Sequence, residues 1–207
     1  MLKRLINIYG HKFICGMTRS GKTYLAVKMM NDWRGPVIFF NPQFETVPGF
    51  FIDADRYSSI KSFGRALRAN KKINYVPNAD QKQAEKELVS LVAYLACCWK
   101  GSNLLFAVDE CQDFALQGTA SPVLFIARRG LRRNIHGLFI AQRPADVHNV
   151  LLSQSSFHII FQINSYDKKY FNSYRMPGDV IEGLLEKGGP HSFVTWDNKA
   201  VSGPYRV

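Results

Sequence analysis

Residues 16–23, Gly-Met-Thr-Arg-Ser-Gly-Lys-Thr, carry glycine at the first and sixth positions and end in Lys22 and Thr23, the spacing of a loop that cradles phosphates. Glycine lets backbone N–H groups turn inward around an anion, and the start of the following helix adds partial positive charge. Lys22 then supplies a point charge for the β- and γ-phosphates, and Thr23 a hydroxyl for Mg²⁺. The candidate nucleotide contacts are Gly16, Thr18, Arg19, Ser20, Gly21, Lys22, Thr23 and Tyr24.

Asp109 and Glu110 follow the apolar run Leu104-Leu105-Phe106-Ala107-Val108. Two carboxylates at the end of a buried strand stand at the sheet edge where open α/β folds bind ligands. Asp109 is placed to hold Mg²⁺, directly or through water, and Glu110 to polarise an attacking water; the plainer alternative is a pair of acids capping the next helix. Gln142 ends a second apolar run, 137–141, where an amide can hydrogen-bond both a γ-phosphate and the attacking water, or simply cap a turn.

Between these runs lies Ala-Arg-Arg-Gly-Leu-Arg-Arg-Asn (127–134), with Arg128, Arg129, Arg132 and Arg133. One helix C-terminus offsets little of that charge. A neighbouring subunit's triphosphate would offset more, by way of an arginine finger acting in trans; solvated or DNA-facing arginines are the alternative for most of the four. Lys61, Arg65, Arg68 and Lys72 recur at helical spacing, so a helix over 58–72 would carry a basic stripe able to follow a phosphate backbone.

The elements that must position these groups are legible as alternating patterns. Apolar runs at 12–15, 37–40, 73–76, 104–108, 137–141 and 158–163 are separated by helical patterns near 22–33, 58–69, 80–99 and 122–132 and by a short one after Pro144. That alternation implies an α/β fold with a mostly parallel sheet covered on both faces. Further on, short helices are expected near 167–174 and 179–185, then a small hairpin turning at Asp197-Asn198. A single domain over 1–207 is expected, with its core at 12–175 and an extension from 176.

Composition narrows the classes. With 46% hydrophobic and 21% charged residues the 207-residue chain is ordinary globular protein. Its longest apolar run, 88–99, falls short of the roughly 20 residues of a membrane span, and its first residues lack a leader pattern, so a cytoplasmic protein without a transmembrane segment is expected. A net charge of +11 favours polyanionic partners, nucleic acid first. Cysteines 15, 97, 98 and 111 lack metal-ligand spacing and read as reduced thiols, and the five histidines form no constellation.

Taken together, the phosphate loop, the strand ending in Asp-Glu, the Arg-rich segment and Asn-Ile-His-Gly-Leu-Phe-Ile-Ala-Gln-Arg-Pro-Ala-Asp-Val (134–147) resemble the HerA/FtsK superfamily of DNA-pumping ATPases over about 12–175. The resemblance implies a RecA-like P-loop NTPase domain that forms a ring, usually of six, around double-stranded DNA and uses ATP and Mg²⁺. It implies phosphate and metal roles for Lys22 and Thr23, metal and catalytic roles for Asp109 and Glu110, and a sensor role for Gln142. Relatives often show Gly-Arg where this chain has Gly130-Leu131-Arg132, so the finger falls on Arg132 or on Arg129. The absence of recognisable accessory domains is most similar to the genome-packaging ATPases of tectivirus-like, membrane-containing icosahedral viruses. Those work in the host cytoplasm or at a packaging vertex, and a capsid vertex or membrane-associated viral proteins are further expected partners. The alternatives are a Zot-like assembly ATPase of filamentous phages and a non-motor nucleotide switch that binds an acidic partner.

Overall fold

The computed structural model describes residues 6, 9–43, 51–53, 60–69, 72–101, 103–115, 118, 120–167, 171 and 174–207. Nine strands form one sheet: β1 (His11–Cys15), β2 (Val37–Phe40), β3 (Phe51–Asp53), β4 (Lys72–Tyr75), β5 (Leu104–Val108), β6 (Ile135–Ala141), β7 (Ser155–Phe161), β8 (Ser192–Trp196) and β9 (Val201–Arg206), in the order β3-β4-β2-β5-β6-β1-β7-β8-β9. All pairings from β3 across to β7 are parallel; β8 and β9 add on antiparallel.

The helices are α1 (Lys22–Asp32), α2 (Ile60–Arg68), α3 (Gln81–Cys98), α4 (Pro122–Arg129), α5 (Asn149–Gln154) and α6 (Gly178–Gly188). Their ends follow from local chemistry. The Asp80 side chain accepts from Gln83 N–H at 2.9 Å to start α3, and Ser121, followed by Pro122, caps α4. Alternate strand residues feed two apolar layers. Phe13, Ile38, Phe40, Phe106 and Val108 pack with α2 to α6, whereas Ile14, Val37, Phe39, Leu105 and Ala107 pack with Leu25, Ala26, Met29 and Met30 of α1. Fully buried strands need no polar alternation, which is why they read as continuous apolar runs.

The structure departs from the sequence reading at identifiable places. Helix α4 stops at Arg129, and Gly130–Arg133 forms a 3-10 turn, so Arg132 and Arg133 lie outside the α-helix. The basic stripe ends early: Arg65 and Arg68 are exposed on α2, opposite buried Phe63 and Leu67, but Lys72 opens β4. Its ammonium donates to Met30 O (2.9 Å) and Asn31 O at the C-terminal end of α1, where helix carbonyls attract a cation. Lys72 therefore does not extend the α2 stripe, and the side chain of Lys61 lies outside the described residues. The expected helix at 167–174 falls mostly outside them too. Strand β3, three residues long, had no sequence signal. The terminal hairpin turns at Asp197-Asn198 as read, and β7–β8 pairing joins it to the main sheet. Cys15 and Cys111 are buried thiols, whereas Cys97 and Cys98 are exposed. Among the described residues no helix is long and apolar enough to cross a membrane.

The sheet also buries basic groups away from its C-terminal edge. His11 and His158 are each held down to about 4, in both cases mainly by burial; His158 packs between Phe13 and Trp196. Because their folded pKa values lie below the unfolded 6.5, the unfolded chain binds more protons between those limits. Stability is accordingly complete above about pH 6.5 and falls as pH drops toward 4, by up to roughly 3 kcal/mol per histidine. Urea denaturation across that range is expected to show this loss, and His158→Phe to flatten it.

Candidate nucleotide site

Strand β6 lies between β1 and β5, which sets the two chemical strands two spacings, about 10 Å, apart. The register aligns Cys15 with Ala141 and Val108 with Phe139. Gly16, Gln142 and Asp109-Glu110 thus leave the sheet at one edge, with β6 reaching two residues beyond β5.

The phosphate loop turns sharply there. Gly16 has φ +149°, and a Cβ on it would lie 2.6 Å from Phe161 Cβ; Met17 N–H is tied to Gln162 O at 2.8 Å. Gly21, at φ +103°, is the N-cap of α1 and offers no side-chain cap, so the first N–H groups of the helix face the loop's concavity. Lys22 is buried along its stem and donates to Met17 O at 2.9 Å.

Across the gap, Thr23 Oγ1 donates to Asp109 Oδ2 at 3.3 Å, and Glu110 N–H to Asp109 Oδ1 at 2.9 Å. Glu110 is buried and left-handed, at φ 45° and ψ 47°, a conformation costing a non-glycine residue about 1 kcal/mol or more. Gln142 connects the two sides. Its Nε2 donates to Glu110 Oε1 at 2.8 Å while its Oε1 accepts from Thr18 Oγ1 at 3.0 Å. The result is a cleft of about 440 Å³ lined by Thr18, Arg19, Gly21, Lys22, Thr23, Tyr24, Gln43, Asp109, Glu110 and Gln142.

Most sequence-predicted site residues therefore converge. Gly16 and Ser20 shape the loop without lining the cleft. Arg129 and Arg132 do not converge: they are exposed and precede β6, at the opposite edge of the sheet. Arg143, next to Gln142, pairs with buried Asp167 (3.5 Å) and with Asp146 (3.6 Å); burial pushes the Asp167 carboxyl up, and the guanidinium pulls it part of the way back. Three residues escaped the sequence reading. Gln43 lines the cleft just beyond β2, a position that the strand-end rule could have flagged. Gln112 donates to Glu110 Oε2 at 2.5 Å, and His191 Nδ1 lies 3.4 Å from Ser20 O; neither carries a local pattern.

Hard oxygen donors suit Mg²⁺. The Thr23 hydroxyl and the Asp109 carboxylate already face each other within hydrogen-bond distance, so they fit such an ion completed by substrate oxygens and water. Among the described residues no three His, Cys, Asp or Glu side chains converge into an all-protein metal cage. Cys15 and Cys111, flanking this edge, are pushed up mainly by burial and stay protonated, which removes them as nucleophiles.

No protein-family model matches the chain, and no curated protein sequence does. Solved structures do. The genome packaging NTPase B204 from Sulfolobus turreted icosahedral virus 2, in complex with AMPPCP, superposes with TM-score 0.74 at 12% identity, over 96% of this chain and 98% of that one. The fold is that of the P-loop NTPases. VirB4 of Thermoanaerobacter pseudethanolicus shares this P-loop fold with TM-score 0.66 at 11% identity over 94% and 90%. The N-terminal domain of zonular occludens toxin from Neisseria meningitidis is more distant, with TM-score 0.50 at 14% identity over 95% and 86%.

Since Gly16 combines positive φ with backbone packed against β7, Gly16→Ala is expected to cost about 2 kcal/mol or more. Chemical denaturation measures it, with Gly183→Ala, inside α6 and with nothing within 4 Å of its Cβ, as the control expected to keep or slightly raise stability.

Proposed function

We propose that the chain is an ATP-hydrolysing motor that moves double-stranded DNA, of the viral genome-packaging kind, and that 1–207 act as one motor domain in a homo-oligomeric ring, six copies being the number implied by the family resemblance. One observation carries the reading: Lys22, Thr23, Asp109, Glu110 and Gln142 share a single cleft, while the arginine-rich turn lies at the far edge of the same sheet.

In that cleft the residues divide the work of phosphoryl transfer. The loop N–H groups and Lys22 bind the triphosphate, and Thr18 and Gln142 face the place of its γ-phosphate. Glu110 takes a proton from the water whose oxygen attacks γ-phosphorus; the β–γ bridging P–O bond breaks, leaving ADP and inorganic phosphate. Mg²⁺, held by Thr23 and Asp109, would neutralise charge building on the β- and γ-oxygens. The arginines come from another copy, because the seven residues of β6 put about 23 Å between them and their own subunit's cleft. Arg132 is the first candidate for the finger and Arg129 the second.

The net charge of +11 and the exposed Arg65 and Arg68 on α2 support a polyanionic partner; genome packaging is supported by the likeness to B204, itself a genome packaging NTPase. Such a motor works in the cytoplasm of an infected host or at a capsid vertex.

The test is ATP turnover per subunit against protein concentration, with and without long double-stranded DNA at low and moderate salt. A ring motor is expected to rise cooperatively in concentration and again with DNA; a rate flat in both variables points to a nucleotide switch. Glu110→Gln is expected to bind ATP as the wild type does while losing turnover by about a hundredfold or more. Arg132→Ala is expected to lose turnover by a similar factor with nucleotide affinity kept, and full activity in it would move the finger to Arg129.

A further inference from the structure

Both oxygens of the Glu110 carboxylate are taken by side-chain amides. Gln142 Nε2 donates to Oε1 (2.8 Å), and Gln112 Nε2 donates to Oε2 (2.5 Å). An ionised carboxylate only accepts, so each amide must present its nitrogen. The two glutamines differ in every other respect. Gln142 lines the cleft and also accepts from Thr18 of the phosphate loop, so a ligand there competes for it. Gln112 is absent from the described lining. It sits behind the carboxylate in the 3-10 turn Cys111–Asp113, whose end is fixed to α3 by Gln81 Nε2 donating to Asp113 O at 3.2 Å.

Gln112 is held through its nitrogen: its Oε1 takes no hydrogen bond among the described residues, so the contact with Glu110 is what orients the amide. Glu110 is left-handed as the residue that opens this turn, so the donor and the carboxylate that faces the cleft are held two residues apart in one short segment.

We infer that Gln112 is a positioning residue for the hydrolytic step: it pins Glu110 Oε2 throughout the cycle, so that release of Gln142 from Oε1 presents that one oxygen, already aimed, to the attacking water. The inference rests on the nucleotide-hydrolysis reading above. It makes Gln142 the movable donor and Gln112 the fixed one, so the two residues divide regulation from geometry.

Four variants compared with the wild type test it: Glu110→Gln, Gln112→Ala, Gln112→Met and Gln112→Glu, each assayed for steady-state MgATP turnover and for affinity toward a non-hydrolysable ATP analogue. Turnover in the wild type and its loss in Glu110→Gln establish the underlying reading; an inert wild type overturns that reading and the inference with it. Given turnover, Gln112→Glu is expected to lower kcat about tenfold or more, and below Gln112→Ala, while KM and analogue affinity stay within about twofold. Glutamate matches glutamine in size but cannot donate when ionised and sets a second charge against Glu110, so a residue that only filled space would tolerate it better than alanine. Gln112→Met, apolar and of similar length, is expected to fail as alanine does. Turnover in Gln112→Glu equal to or above that of Gln112→Ala, or wild-type kcat in Gln112→Met, overturns the inference.

Discussion

Parallel pairing of β1, β6 and β5 is the constraint on which the rest depends. It sends the C-terminal ends of three buried strands to one edge, and the placement of β6 between the other two leaves a gap there about two strand spacings wide. The phosphate loop closes one side of that gap and the Asp109-Glu110 pair the other. Gln142, carried forward by the two extra residues of β6, spans it through hydrogen bonds to both. A direct β1–β5 pairing would set loop and carboxylates a single spacing apart, leaving less room between them.

The same direction of the strands explains where the cations go. Arg128, Arg129, Arg132 and Arg133 precede β6, so they emerge at the edge opposite the cleft, exposed and, among the described residues, without a carboxylate partner. Lys12 is more unusual: fully buried, held down to about 8 by burial, donating to Gly10 O at 3.1 Å and lying 5.7 Å from the Trp33 ring centroid. Cation–π attraction and a carbonyl offset part of what desolvation costs an ammonium. Such groups spend stability inside the sheet, which its two apolar layers must supply.

Much of this was legible in the sequence because burial on both faces makes strands into continuous apolar runs; β2 and β5 match their runs residue for residue. The phosphate loop was legible for a different reason, since its glycines answer a backbone demand that no other residue meets. What stayed hidden was tertiary. Lys72 fits a helical stripe by spacing, but the chain leaves the helix at Arg68 and turns Lys72 toward the carbonyls of α1. Gln112 and His191 act through hydrogen bonds whose partners are fixed only by folding, and the three residues of β3 are too few to show a period.

The outer margins of the sheet limit how copies of the chain can meet. At one margin β3 is three residues long; at the other, β9 contains Gly203 and Pro204, and Pro204 has no N–H to offer a further strand. Short, proline-bearing margins resist strand-to-strand growth. The ring proposed above would therefore be built from side chains meeting across layer faces or sheet ends and not from backbone ladders pairing at these two margins, a geometry that disfavours open-ended fibrous polymerisation.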